Sequence, residues 1–171
     1  LQYLTVLKLG RNQMQHISPR SFNRLSKLIH LDISGNPLTH LSNMTFSMLP
    51  ALRRLIMSNT YITCISNDLL YFNLNLTYLD LSSTLINTLT GIGVCRLGIL
   101  KELILSHTKI ALHSFNDIAI KVCFPALAKV HVIQSEICCL FSHIDCVPDM
   151  GTKDKTSSCS NIIVHITLIF A

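Results

Sequence analysis

The stretch "LIHLDISGNPLTHL", Leu28 to Leu41, decides the fold, because the spacing of its leucines recurs through most of the chain. The same pattern returns every 24 residues, in units that begin at Leu4, Leu52, Leu76 and Leu100. A sixth unit begins at Leu127, after a longer step of 27 residues. Five units at one period indicate an array of structural repeats rather than a chance resemblance.

The shared template, L-x-x-L-x-L-x-x-N-x-L, resembles the leucine-rich repeat. Its central L-x-L forms a short strand whose alternate residues point inward, and stacked strands pair in parallel about 4.8 Å apart. We therefore expect an α/β solenoid, a leucine-rich-repeat horseshoe with a parallel concave sheet and a disulfide-knotted C-terminal cap. The predicted division is about six repeats in 1–140, a short cysteine-containing hinge or cap in 141–160 and an apolar tail in 161–171.

The ninth template position predicts how well the repeats are tied together. Asparagine, at Asn12 and Asn36, both donates to and accepts from neighbouring backbone groups, whereas a hydroxyl has one fewer donor. Later units carry Thr60, Thr84, Thr108 and Ser135. The sequence thus predicts weaker side-chain support in these units. It also predicts that Phe22 and Phe46, at equivalent positions of successive repeats, stack on the convex side.

The residues between the strand leucines are predicted to face the concave side. By register they are Val6, Lys8, Gly10, His30, Asp32, Ser34, Arg54, Ile56, Ser58, Tyr78, Asp80, Ser82, Glu102, Ile104, Ser106, Lys129, His131 and Ile133. Because solenoids commonly bind on this face, the candidate ligand-binding residues are Asp32, Arg54, Tyr78, Asp80, Glu102, Lys129 and His131. The acidic ones with Tyr78 would take a basic ligand segment through charge-assisted hydrogen bonds. The alternative is an ordinary solvated face.

Composition excludes several classes of function. The net charge of +5 is spread along the chain without a lysine or arginine block, so no nucleic-acid partner is expected. The eight histidines form no recognisable nucleophile–base arrangement with a serine or cysteine. No phosphate-cradling glycine loop is present. We therefore expect no enzyme activity, no cofactor and no metal.

Seven cysteines and two glycosylation sequons, at Asn43 and Asn75, favour a secreted or cell-surface chain. The chain starts at Leu1 inside the repeat pattern, without a signal peptide, and is therefore interpreted as a fragment. The tail 161–171 is far shorter than the roughly 20 residues that span a bilayer. It is either a buried strand or helix, or the truncated start of a transmembrane helix.

The cysteines near the end, in "EICCLFSHIDCV" from Glu136 to Val147, raise a separate question. Adjacent cysteines rarely bridge each other, so disulfides to other cysteines are expected to hold a cap over the last repeat. A metal site at Cys138, Cys139, His143 and Cys146 is the alternative, but it lacks a C-x-x-C pair. Elsewhere, Cys95 and Cys123 are either bridged or buried thiols, and Cys64 has no obvious partner.

"FPALAKVHVIQSEICCLF", "CVP" and "SSCSNIIVHITLIF" resemble the junction before the first transmembrane helix in leucine-rich-repeat-containing G-protein-coupled receptors, which serve glycoprotein hormones, R-spondins and relaxins. The resemblance implies that Cys138 pairs with Cys146, and Cys139 with Cys159. It implies a plasma-membrane receptor whose extracellular repeats bind a hormone-like protein or peptide. The membrane and the G protein are then reached only through a longer parent. The hinge is shorter than in the hormone-binding subgroup.

Other functions stay open at this point. A soluble or matrix leucine-rich-repeat binding module would have no membrane role. A Toll-like receptor fragment would carry a longer cap with wider cysteine spacing, and a cytosolic scaffold would keep its cysteines reduced. The sequence names neither the ligand nor the receptor subgroup.

Overall fold

A computed structural model of the chain describes residues 1–64, 68–87, 96–110 and 125–132, and the backbone alone of residues 145–148. Within these ranges, one parallel sheet contains seven short strands in chain order. They are β1 (Val6–Lys8), β2 (His30–Asp32), β3 (Arg54–Ile56), β4 (Tyr78–Asp80), β5 (Glu102–Ile104), β6 (Lys129–Val132) and β7 (Asp145–Pro148). The predicted parallel solenoid is confirmed.

The register of the sheet follows the sequence period. Leu31 of β2 pairs with Leu55 of β3, one repeat later. The longer sixth step is absorbed outside the strands, because Leu103 of β5 still pairs with Val130 of β6. Val130 in turn pairs with Cys146 of β7 after a much shorter step. A stretch inside the predicted hinge or cap therefore adds a further parallel strand to the sheet.

The core lies behind the sheet and is formed by the inward leucines. From β2 to β5 the central residue of each strand is buried and its two neighbours are half-buried. On the convex side the rings of Phe22 and Phe46 stack, with centroids 6.2 Å apart and 21° between their planes. This stack was predicted from their equivalent positions. The described convex arcs consist of turns. One of them is closed by a hydrogen bond of 2.9 Å, which the Ser21 amide donates to the Ser18 carbonyl.

The polar ladder changes character along the array. Nδ2 of Asn36 donates to the carbonyls of Leu9 (2.9 Å) and Ile33 (2.8 Å), and Oδ1 accepts from the Met14 amide (3.1 Å). Asn36 thus joins its own repeat to the preceding one. The later hydroxyls each donate only to the carbonyl three residues earlier, at 2.7 to 3.0 Å, in Thr60, Thr84 and Thr108. The predicted weakening of the ladder is confirmed for these units.

A left-handed backbone conformation recurs just before the ladder position of each described repeat. φ lies between 53° and 63° at Arg11, Gly35, Asn59, Ser83 and His107. The chain turns away from the sheet at this point in each of these five repeats. Only one of the five residues is glycine, so the other four hold a conformation that L-residues adopt at a cost.

No helix in the described ranges is long and apolar enough to cross a membrane. The predicted tail, 161–171, lies outside those ranges.

Candidate functional site

The concave face presents its side chains in three parallel rows, because each strand carries outward residues at alternate positions. The first row runs Val6, His30, Arg54, Tyr78, Glu102 and Lys129; the second Lys8, Asp32, Ile56, Asp80, Ile104 and His131. The third contains Gly10, Ser34, Ser58, Ser82 and Ser106, of which Ser106 is buried. Successive members of a row lie about 4.8 Å apart. All seven candidate ligand-binding residues therefore lie on one surface.

Arg54 and Tyr78 occupy the centre of this surface. The guanidinium carbon of Arg54 lies 3.3 Å from the centroid of the Tyr78 ring, a close cation–π contact. Burial raises the pKa of Tyr78, and the carboxylates of Asp80 and Glu102 add to that shift, whereas Arg54 opposes it. The phenol therefore stays protonated at neutral pH. The centre of the face is an aromatic ring covered by a fixed positive charge.

Two aspartates flank this centre with the same local geometry. Oδ1 of Asp32 accepts hydrogen bonds from the amide (2.9 Å) and the hydroxyl (2.6 Å) of Ser34. Oδ1 of Asp80 accepts the same two bonds, at the same lengths, from Ser82. In the described part of the chain, Oδ2 of each aspartate has no hydrogen-bond partner. Each carboxylate is thus held in one orientation with one oxygen available.

Glu102 is engaged within the face itself. Its Oε1 lies 2.9 Å from Nε2 of His131 and 3.9 Å from Nζ of Lys129. From β1 to β6, the cations Lys8, Arg54 and Lys129 match the three acidic residues Asp32, Asp80 and Glu102 in number. The acidic side chains therefore lie on one face as predicted, but they are interleaved with cations and form no separate acidic patch.

His30 lies towards the other end of the first row, between Val6 and Arg54. Burial lowers its pKa, and the positive charges of Arg54 and Lys8 lower it further, against the opposing effect of Asp32. Its Nε2 is shielded from solvent and has no partner within the described residues. The ring is therefore neutral at pH 7, and it adds no charge to the surface.

The remaining predicted site residues are placed as follows. Asn43 and Asn75 are both exposed on the arcs. Cys64 is exposed and free. Cys146 lies in β7, of which only the backbone is described. Outside the described ranges lie Ile133 of the predicted concave face and the residues of the predicted cap, metal alternative and bridges: Cys138, Cys139, His143, Cys159, Cys95 and Cys123. The predicted disulfides therefore stay predictions. No group of three potential metal ligands occurs in the described part of the chain.

Sequence reasoning missed two features of the face: the stack of Arg54 on Tyr78, and the shared aspartate–serine geometry at Asp32 and Asp80. Arg54 and Tyr78 are separated by one period, and Asp32 and Asp80 by two. A search for polar or aromatic residues at multiples of 24 would have found both relationships. The serine that orients each aspartate follows it by two residues, so "D-x-S" at equivalent strand positions was the available signal.

The chain was compared with known proteins. A family model described as leucine rich repeat matches residues 2–62 and 50–110, together more than half of the chain. No curated protein matches the sequence.

Solved structures share the fold. The functional domain of InlJ from Listeria monocytogenes is 26% identical, with a TM-score of 0.58, over 77% of this chain and 25% of that one. A leucine-rich-repeat protein of Leptospira interrogans is 23% identical, with a TM-score of 0.63, over 72% and 30%. The TLR13–ssRNA13 complex gives 27% identity and a TM-score of 0.66, over 92% and 20%.

The chain thus spans less than a third of each of these structures. Leucine-rich-repeat proteins generally bind proteins and are generally not enzymes. The period, the parallel sheet and the family match agree, and the chain belongs to the leucine-rich repeat family.

Proposed function

We propose that the concave face binds an extracellular protein or peptide ligand and that Arg54 and Tyr78 form the centre of the contact. The observation that carries this proposal is their 3.3 Å stack at the middle of an otherwise half-buried polar surface. Tyrosine and arginine dominate binding hot spots because they combine a large contact area with directional polar groups. The stack holds both side chains in place before a ligand arrives, which lowers the entropic cost of binding.

The free oxygens of Asp32 and Asp80 are suited to basic side chains of the ligand. Each carboxylate is already oriented by its serine, so a charge-assisted hydrogen bond forms there without further ordering. The three cations and three acidic residues of β1 to β6 favour a mixed protein surface over nucleic acid. A phosphate backbone would require a continuous row of uncompensated lysines and arginines.

The parent molecule in this proposal is a G-protein-coupled receptor at the plasma membrane, with this chain on the extracellular side. The support is the resemblance of the Cys138–Cys139, Cys146–Val147–Pro148 and Cys159 segments to the receptor junction, together with the two exposed sequons. The ligand is then hormone-like, and the G protein is reached only through the parent. A soluble or matrix module would use the same face, and the transcript sequence beyond Ala171 separates the two.

A peptide-display selection tests the binding face directly. The intact chain is used to select binders from a phage-displayed library of random peptides, and the selected peptides are measured against variants. We expect Tyr78→Ala and Asp80→Asn to weaken binding at least about tenfold, a loss of about 1.4 kcal/mol. The matched control is Lys27→Ala, which removes an exposed charge from the convex arc and should leave affinity unchanged.

Two results would contradict the proposal. If the selected peptides bind both concave variants as tightly as the natural chain, the binding site lies elsewhere. A set of selected peptides without enrichment of lysine or arginine would remove the role given to Asp32 and Asp80.

A further inference from the structure

Apolar side chains are exposed around one of the two sequons, on the arcs before β4 and β5. Phe72 is 49% exposed, Leu74 is 53% exposed and Ile99 is 45% exposed. Asn75 directly follows Leu74 and occupies the same repeat position as Ile99, one period earlier. We call Phe72, Leu74 and Ile99 the Asn75 patch. Exposed apolar groups of this kind usually mark a surface that something covers.

Asn75 is held in a defined direction beside this patch. Its Nδ2 donates to the carbonyl oxygen of Pro50, in the preceding repeat, at 2.9 Å. An asparagine amide carries two donor hydrogens, so one remains for this bond after the other is replaced by a sugar. In the next repeat there is open space at Gly98, the position equivalent to Leu74, since a Cβ added there would meet no atom within 4 Å.

We infer that an N-linked glycan on Asn75 covers the Asn75 patch. The nitrogen would attack C1 of a lipid-linked pyrophosphoryl oligosaccharide, lose one proton and release the lipid pyrophosphate as leaving group. The first N-acetyl sugar then packs its C–H face and methyl group over Leu74 and Ile99 and turns its hydroxyls to water. The inference rests on the extracellular placement in the proposed function.

Burial of the middle residue of the sequon determines when the sugar can be attached. Leu76, between Asn75 and Thr77, is completely buried. The Thr77 hydroxyl donates to the Arg53 carbonyl at 3.0 Å. An enzyme can read this tripeptide only before Leu76 enters the core, so attachment precedes the docking of this repeat. The sugar is therefore in place when the patch forms.

The other sequon offers a matched control. Asn43 is also exposed, but the residue that follows it, Met44, is 47% exposed rather than buried. Among the exposed large apolar side chains of the described residues, Phe72, Leu74 and Ile99 belong to the later arcs, one repeat or more beyond Asn43. A glycan on Asn43 would consequently cover a different part of the surface.

The test expresses the full chain behind a cleavable secretion signal in glycosylation-competent eukaryotic cells. Glycopeptide mass spectrometry measures occupancy of both sequons in the secreted protein. We expect Asn75 to be occupied. Asn75→Gln should increase the fluorescence of a dye that binds apolar surface and lower the melting temperature by about 3 °C. Asn43→Gln, which lies beside the exposed Met44 and away from the Asn75 patch, should change both less.

A second variant distinguishes the covering of the Asn75 patch from other effects of the sugar. Adding Leu74→Ser and Ile99→Ser to Asn75→Gln should return the dye signal to the level of the glycosylated chain. The inference is overturned if Asn75 is unoccupied, or if Asn75→Gln behaves as Asn43→Gln does. Failure of the proposed function would be seen separately, in the peptide selection and in antibody staining of unpermeabilised cells that express the natural gene.

Discussion

The guanidinium of Arg54 lies over the ring of Tyr78 at 3.3 Å, and the two residues are register partners on adjacent strands. The contact depends on the sheet, because the pairing of β3 with β4 makes the two residues adjacent members of one row. No carboxylate of the described residues forms an ion pair with Arg54 within 4.0 Å. The aromatic ring is therefore the principal partner of this charge.

The stack should contribute measurably to stability. In a double-mutant cycle with Arg54→Ala and Tyr78→Ala, we expect a coupling free energy of about 0.5–1 kcal/mol, typical of a partly exposed cation–π pair. Urea unfolding of the four proteins measures it. The control cycle uses Ile56→Ala and Asp80→Ala, which are register partners on the same strands and should show coupling near zero. Equal coupling in both cycles would mean that the stack adds nothing specific.

Asn36 should matter more than any later ladder residue. Asn36→Ala removes bonds to two repeats and leaves the Met14 amide and the Ile33 carbonyl without Asn36, while the Leu9 carbonyl still accepts from Nδ2 of Asn12. We expect a loss of about 2–4 kcal/mol, since each orphaned buried group costs about 1–3 kcal/mol. Thr60→Ala removes a single local bond and should cost about 1 kcal/mol. Chemical denaturation compares the two, and similar losses would contradict the bridging role.

The left-handed positions predict substitutions of opposite sign. At Gly35, φ is 63° and a Cβ would approach Cγ of Arg11 to 3.1 Å. Gly35→Ala should therefore destabilise the chain by about 1–2 kcal/mol.

Ser83→Gly should leave the free energy of unfolding unchanged or raise it by up to about 1 kcal/mol. Glycine removes the backbone strain at φ 53°, but its greater freedom in the unfolded chain offsets that gain. Thermal unfolding monitored by circular dichroism distinguishes the two directions. A destabilised Ser83→Gly variant would show that the left-handed position carries no strain.

His30 should make stability depend on pH. Its folded-state pKa lies below the reference value of 6.5, through burial and the nearby Arg54 and Lys8. The unfolded chain therefore binds the proton first, and the stability contributed by neutral His30 is complete above about pH 6.5 and declines as the pH falls towards the folded-state pKa. We expect the free energy of unfolding to fall more steeply between pH 7 and pH 5 in the natural chain than in His30→Gln. Parallel slopes would refute this.

The period in the sequence was sufficient to predict the strands, their register and the Phe22–Phe46 stack. These features follow from position alone: residues one repeat apart become neighbours whatever their identity. The pairing of Arg54 with Tyr78 was within reach for the same reason. The engagement of Glu102 by His131 was harder to foresee, because it joins two rows across the longer 27-residue step.

Two features could not be read from the template. β7 follows β6 after a step much shorter than the repeat and without its leucines. Asn73 occupies a core position that holds leucine in the neighbouring arcs, at Leu25, Leu49 and Leu97. The structure explains the amide group, because Nδ2 donates to the carbonyls of Phe46 and Leu49 at 3.0 Å each, whereas the buried Oδ1 has no partner within the described residues. A polar residue in an apolar pattern is acceptable only when such partners exist, and they become visible only in three dimensions.

The change from asparagine to threonine along the ladder affects how the solenoid opens. Each repeat contacts only its neighbours, so unwinding begins where that coupling is weakest. Side-chain bonds join successive repeats at Asn36, Asn73 and Thr77, whereas the ladder threonines Thr60, Thr84 and Thr108 bond only within their own repeat. Opening is therefore expected to start among the repeats that follow β4. A ligand bound across β2 to β5 would hold these repeats together, and hydrogen exchange of their backbone amides should slow on binding.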